Sequence, residues 1–437
     1  MSIDQNLKMW VVTADMGYGH QRAVYPFKHL AEDEIITLGK NDFSTKQEKK
    51  QWKNILNAYE TFSRASDVPL IGRNLLSIMD FILQIPSFYP KRSLSRTTYQ
   101  VEYLRNKIEK GICEGLNKKI SQKKLPFLTS FYAPAIFANM NYIDDIYCII
   151  CDVDVNRVWV PKTPKDNKIN YLVPCEQTAN RLKMYGINDD KIFITGFPLP
   201  LELVGDGLSI LKSNLGKRLI RLDAKSKFIN RHHKSVEHLL GNIYPQTVKN
   251  KAITISYVVG GAGAQKEIAS DIVKSLKEKL VNGNVKLNLI AGIRPEVISY
   301  FEKLNDIIPS ANIEVICGRN LDDYFSKFNN ALHETDILWT KPSELVFYSA
   351  LGIPIILTPE IGAQETQNKN WLIKINAGME QLNPRYADEW LFDLLDDGIL
   401  ADMAWSGFLK GRKLGTQKII DLVFNNTFEQ SINPLEM

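Results

Sequence analysis

No stretch of this sequence approaches the roughly 20 consecutive apolar residues that a membrane-spanning helix requires. The opening residues, Met1-Ser-Ile-Asp-Gln-Asn-Leu-Lys8, contain no apolar signal-peptide core before Trp10. Twin-arginine and lipidation motifs are missing as well. Cysteine is scarce, with five residues, an odd number. Cys148 and Cys151 form a C-x-x-C, but inside the apolar run 146–151. On a strand, side chains three apart face opposite sides of the sheet. The pair therefore reads as buried strand residues, not as a redox or metal motif. Reduced thiols fit the cytoplasm. No metal-ligand spacing appears elsewhere, and no metal is expected.

Charge of one sign is also modest, at a net +5. It is uneven, however. From Lys212 to Lys234 there are eight Lys or Arg and one acid, Asp223. Aromatics are nearly absent there (only Phe228), and no nucleic-acid fold signature accompanies the stretch, so a nucleic-acid partner is not expected.

The 437 residues are 44% hydrophobic and 24% charged, a globular composition long enough for about two domains. Residues 9–15 form an apolar strand pattern. A glycine-containing loop, a helix-like run over 21–31 and a second strand at 35–38 follow. That βαβ opening is the doubly wound pattern. Residues from about 40 to 125 read as a helical insertion, with a densely apolar segment at 68–85 and aromatics next to basic residues up to Arg92. Strand patterns resume at 127–130, 146–151, 168–173 and 191–195. A second series begins at 253–259 and continues at 285–291, 312–317, 337–340 and 354–358. The expected class is α/β, two Rossmann-like domains. The divisions are 1–205, a basic linker at 206–251, 252–400, and C-terminal helices at 401–437 packing back toward the first domain.

Ligands in open α/β sheets bind beyond the carboxyl ends of strands. The polar residues just after strands are therefore the candidates. Gly17-x-Gly19-His20 follows the first strand. Glycines allow close backbone approach, the helix N-terminus favours negative charge, and His20 suits a general base. A capped strand–helix turn would look the same. Gly260-Gly261-Ala262-Gly263 repeats the device after the first strand of the second series. Arg319, after the strand at 312–317, suits a phosphate or an ion pair with the 322–323 acids. Thr340-Lys341-Pro342-Ser343-Glu344 ends a strand and opens a helix. Lys341 suits phosphate, and Ser343 or Glu344 suits a cap or a sugar hydroxyl. Gln364, Glu365 and Asn368 supply the paired donors and acceptors that a polyhydroxyl ligand needs.

Taken in order, these pieces resemble the GT-B glycosyltransferases. The relevant class contains monogalactosyldiacylglycerol synthases, processive diacylglycerol glucosyltransferases and the peptidoglycan-precursor N-acetylglucosaminyltransferase. The resemblance is carried by Gly17-Tyr-Gly-His20, Cys151-Asp-Val-Asp154 with Trp159, 191–198, Gly260-Gly-Ala-Gly263, 317–321, 335–341, 352–357 and 362–368. It implies two domains facing a cleft, with the donor in the second and the acceptor in the first. It also implies inverting displacement from a nucleotide diphosphate sugar, with uridine as the expected base and a hydroxyl acceptor such as a lipid. His20 is the first choice of base and Asp152 the second. The diphosphate would fall to Lys341 and Arg319, and the donor sugar to Gln364 and Glu365. A nucleotide sugar is a co-substrate, so no cofactor is expected. The register of the family's ribose-binding Glu falls here on Phe347, with Glu344 the available substitute, and Arg157 stands near the place of a family His before Trp159. Relatives acting on lipids imply peripheral contact with the inner face of the cytoplasmic membrane, here through 68–92. A nucleotide-sugar 2-epimerase and a non-catalytic nucleotide-sugar-binding protein are the alternative readings.

Overall fold

A computed structural model describes residues 7–65, 84–244, 252–308 and 312–437, without the side chains of 58–65. Two six-stranded sheets, parallel throughout, organise the chain. The first comprises β1 (Trp10–Thr13), β2 (Ile36–Thr37), β3 (Phe127–Thr129), β4 (Ile146–Ile149), β5 (Ile169–Leu172) and β6 (Ile192–Phe193). The second comprises β7 (Ile253–Val258), β8 (Val285–Gly292), β9 (Ile313–Cys317), β10 (Ile337–Thr340), β11 (Ile355–Leu357) and β12 (Gly378–Glu380). The inner strands are β-branched, apolar and mostly buried, as a parallel sheet covered on both faces requires.

Strand order locates the crevices. The first sheet runs β2-β1-β3-β4-β5-β6, so its order reverses between β1 and β3. The second runs β12-β11-β10-β7-β8-β9 and reverses between β7 and β10. Chain segments leaving two such neighbours diverge and open a ligand crevice at their carboxyl ends. The loops concerned begin at Ala14 and Ser130 in the first domain, and at Val259 and Lys341 in the second. The chain is thus an α/β protein of two Rossmann-like domains facing a cleft, the GT-B arrangement.

Alternation along β4 explains the cysteines. Cys148 packs into the core on one face of the first sheet, with Trp10, Val12 and Phe127. Cys151 joins the core on the other face, with Val11, Leu128 and Ile149. All five cysteines are free, and four are buried.

Helices Lys46–Ala65, Tyr99–Glu109 and Glu114–Ile120 occupy the described part of the insertion. Trp52 Nε1 donates to the Ile112 carbonyl at 2.9 Å, and the buried Glu48 carboxylate accepts from Gly115 N–H at 3.1 Å. The last two helices are separated at Gly111, where φ is +86°. The apolar segment 68–85 lies almost entirely outside the described residues. Among those that are described, no helix is long and apolar enough to cross a membrane.

The stretch read as a basic linker is, over Ser209–Leu222 and Lys227–Leu240, two packed helices. Leu211, Leu215, Leu219 and Leu222 are buried at the three- and four-residue spacing of one helix face. Two of the basic residues are structural. Arg218 Nε donates to the Thr335 carbonyl at 2.7 Å, and Arg221 forms an ion pair with the buried Asp336 at 2.7 Å. The chain then returns to the first domain. Helix Ile399–Lys410 packs on the 3-10 helix Glu344–Leu351. In Gly415–Asn425, Thr416 donates to the Leu199 carbonyl, and Arg412 just before it pairs with Glu176 at 2.6 Å.

Candidate functional site

The two crevices face one another and enclose a cavity of about 200 Å³. Its first-domain wall is the β1 loop with His20, the β3 loop with Phe131 and Tyr132, and Asp152, Asn156 and Trp159. Its second-domain wall is Gly260–Ala262, then Lys341 with Ser343 and Glu344, and then Ile361 with Gln364 and Glu365.

His20 is held on one side only. Its Nδ1 lies 2.7 Å from the Ser130 carbonyl. A carbonyl oxygen cannot donate, so Nδ1 carries the proton and the neutral ring keeps its lone pair on Nε2. Ser130 Oγ donates to the His20 carbonyl at 2.7 Å and lies 2.9 Å from Thr13 Oγ1. The ring also meets Phe131 edge-on at 4.9 Å. Burial lowers its pKa, against the opposing Ser130 bond and the Glu344 charge. The ring is therefore neutral and oriented at physiological pH.

Asp152 lines the same cavity. Burial raises its carboxyl to about 6, and the nearby Glu344 and Glu365 charges add to that, while the Asn368 hydrogen bond and Lys341 oppose it. On the other wall, Lys341 pairs with Glu365 at 2.6 Å, and Glu365 also accepts from Ile361 N–H at 2.9 Å. Gly260 leaves room for the end of the Lys341 side chain, whose Cε would stand 2.9 Å from a Cβ at that position. Gly261 lies against the first domain, where a Cβ would come within 3.1 Å of Tyr18 N and 3.2 Å of Gly17 Cα. The two glycine loops therefore touch across the cleft.

Three expected ligand contacts are placed differently. Gly263, at φ +75°, closes the turn through its N–H to Gly260 O at 2.9 Å and does not line the cavity. Arg319 extends over the surface with its side chain 90% exposed, next to Asp323, and the neighbouring Asn320 caps the following helix. Asn368 is fully buried and bridges the domains. It donates to Asp152 Oδ1 at 2.9 Å and to Pro342 O at 3.2 Å, and accepts from Val153 N–H at 2.8 Å.

Glu344 does line the cavity, but its carboxylate forms a buried ion pair with Arg22 of the first domain. Phe347, at the register of the expected ribose-binding carboxylate, is buried and stacks on Phe197 at 5.5 Å and 15°. An acid there would lose that apolar contact. Arg157 is spent on backbone carbonyls, among them Val160 O at 2.7 Å and Pro161 O at 3.0 Å. At the described end of the 68–92 segment, the Phe88 ring covers Arg181 at 5.2 Å and Tyr89 is 71% exposed.

Sequence reasoning did not single out Tyr18, Arg22, Phe131 or Tyr132. Tyr18 reaches into the second domain, where its hydroxyl accepts from Ile293 N–H at 3.0 Å and its ring lies 5.0 Å from Tyr324. Arg22 stacks over Phe328 at 4.7 Å. Phe131 and Tyr132 follow the end of β3, so the strand-end rule that found His20 would have found them too.

No protein-family model and no curated protein matches the chain. Several solved structures are similar in fold. One is a complex of MnaA from S. aureus with UDP, at 12% identity over 98% of this chain and 99% of that one, TM-score 0.47. Another is MurG of Acinetobacter baumannii, at 14% identity over 96% and 99%, TM-score 0.49. A third is the calicheamicin glycosyltransferase CalG4, at 10% identity over 95% and 98%, TM-score 0.48. The assignment to GT-B rests on the strand orders and the facing crevices described above.

Proposed function

We propose that this chain is a glycosyltransferase, moving a sugar from a uridine diphosphate sugar to a hydroxyl acceptor with inversion at the anomeric carbon. The observation that carries the reading is His20. Its tautomer is fixed by Ser130, its basic nitrogen is left for a ligand, and it stands across the cleft from the Gly260–Gly261 loop and Lys341. His20 would take the acceptor hydroxyl proton as that oxygen bonds to the anomeric carbon. The bond from that carbon to the β-phosphate oxygen breaks, and its electron pair leaves with the diphosphate. Lys341 and the backbone N–H groups of Gly260 and Gly261 would stabilise the departing charge. Gln364 and Glu365 would bind the sugar. The aromatic wall of Phe131, Tyr132 and Trp159 suits an acceptor with an apolar face, such as a lipid at the inner membrane surface.

A thermal-shift series with nucleoside diphosphates and their sugars tests donor binding, because a ligand at 100 times its Kd stabilises by about 2.7 kcal/mol. Uridine diphosphate should raise Tm, and silence toward every nucleotide would sink the reading. Conversion of a donor sugar without any acceptor would mark an epimerase instead.

A further inference from the structure

Asn368 has the wrong environment for a sugar contact and the right one for another task. Its side chain is fully buried. All its described bonds are to protein: Asp152 Oδ1 at 2.9 Å, Val153 N–H at 2.8 Å and Pro342 O at 3.2 Å. Asp152 and Val153 belong to the first domain, whereas Asn368 sits on helix Ala363–Lys374 of the second. A buried amide with both ends engaged holds one geometry. Asp152 lines the cavity with Oδ1 taken, which leaves Oδ2 for a ligand hydroxyl.

We infer that Asn368 is the positioning residue for Asp152, fixing across the domain boundary a carboxylate that orients the acceptor hydroxyl toward His20. The inference rests on the proposed glycosyl transfer for what Asp152 does, but not for how it is held. Other charges face the same carboxylate. Glu344 comes from the 3-10 helix, Glu365 from the helix of Asn368 and Lys341 from the end of β10, while Cys151 adjoins it and His20 lines the same cavity. Two of these groups are acids that oppose its ionisation and one is a cation already paired with Glu365. The Asn368 N–H is therefore the donor that favours the charged form. Because that donor belongs to the other domain, Asp152 is held in this orientation only with the cleft closed.

The test is a titration of Asp152 in the intact chain by ¹³C NMR of labelled aspartate carboxyls, assigned by loss of the signal in Asp152→Asn. Asn368→Leu keeps the volume and removes the donor, and should move the titration upward by about one unit or more. Asn368→Asp keeps the shape and sets two carboxyls together, and should move one of them above neutrality. This second variant serves if the first fails to fold. A titration that stays where the wild-type protein has it, in either folded variant, overturns the inference. In turnover, Asn368→Leu should lose kcat near pH 6.5 and recover toward wild type near pH 9, where Asp152 ionises without help. A pH-independent loss would mean that Asn368 is merely structural and would also overturn it. The titration requires no nucleotide, so failure of uridine diphosphate to bind would refute the glycosyltransferase reading while leaving this result to stand or fall separately.

Discussion

Replacing Glu344 with Leu should destabilise the protein far more than its place beside an open cavity suggests. Glu344 and Arg22 retain 8% and 3% of their side-chain exposure, and they join the two domains. Removing one member of a buried pair leaves the other charge without water or its counter-charge, at a cost of about 3–5 kcal/mol. Arg22→Met should cost more. It strands the Glu344 carboxylate, removes a 3.2 Å bond to Tyr324 Oη, and gives up the cation–π contact with Phe328. That contact is worth about 0.5–2 kcal/mol. The double variant Arg22→Met/Glu344→Leu replaces two charges by two apolar groups, and should lie within about 2 kcal/mol of wild type. Equilibrium unfolding in guanidinium chloride of wild type, both singles and the double gives the coupling directly. It should be at least about 4 kcal/mol, since the two single losses of about 3 kcal/mol or more each would shrink to about 2 in the double. Simple additivity of the two single losses would refute the reasoning, because it would mean that neither charge depends on the other.

His20→Ala should abolish transfer while uridine diphosphate still raises Tm, which a thermal-shift and a turnover assay read together; unchanged turnover would remove His20 as the base. Gly261→Val should push the Gly17 loop away and weaken donor affinity tenfold or more by calorimetry. The folded state binds the Asp152 proton more tightly than the unfolded chain does, so ionising that group costs stability as pH rises from the usual carboxylate range through about 6. The cost is roughly 3 kcal/mol at 1.36 kcal/mol per unit. Asp152→Asn should remove that part of the slope of unfolding free energy between pH 4 and 7. Liposomes with anionic headgroups should co-sediment the wild-type chain, and less of a variant in which Tyr89 and Arg92 are Ser, if the 68–92 segment meets a membrane.

The sheets were legible because each strand is a short apolar, β-branched run bounded by glycine or polar residues, and the glycine loops because they fall where such runs end. The two-residue β2 lies within the strand read at 35–38, whereas the late strand β12 was not read. β12, Gly-Met-Glu, has no apolar pattern of its own and exists because β11 offers it an edge. Partnerships over distance were not legible. Arg22 and Glu344 are 322 residues apart, and nothing local to either says that they neutralise each other. Asn368 was read as a donor contact because a loop of Gln, Glu and Asn suits a sugar. Only the closed pairing of the domains shows that its amide is consumed by Asp152 and Val153. The basic stretch from 212 to 234 was misleading for a related reason, since counting charges does not reveal that Arg218 and Arg221 point inward.

The burial of the cysteines has a practical use for measuring motion. Cys113, Cys148, Cys151 and Cys175 are shielded from solvent, and Cys317 alone is partly open. With Cys317→Ser the protein becomes a nearly silent background for thiol reagents. Two cysteines introduced at exposed positions, one on each domain, would carry a fluorescent pair and report the distance across the cleft in real time. Opening would then be read as a change in energy transfer, with the native thiols left untouched.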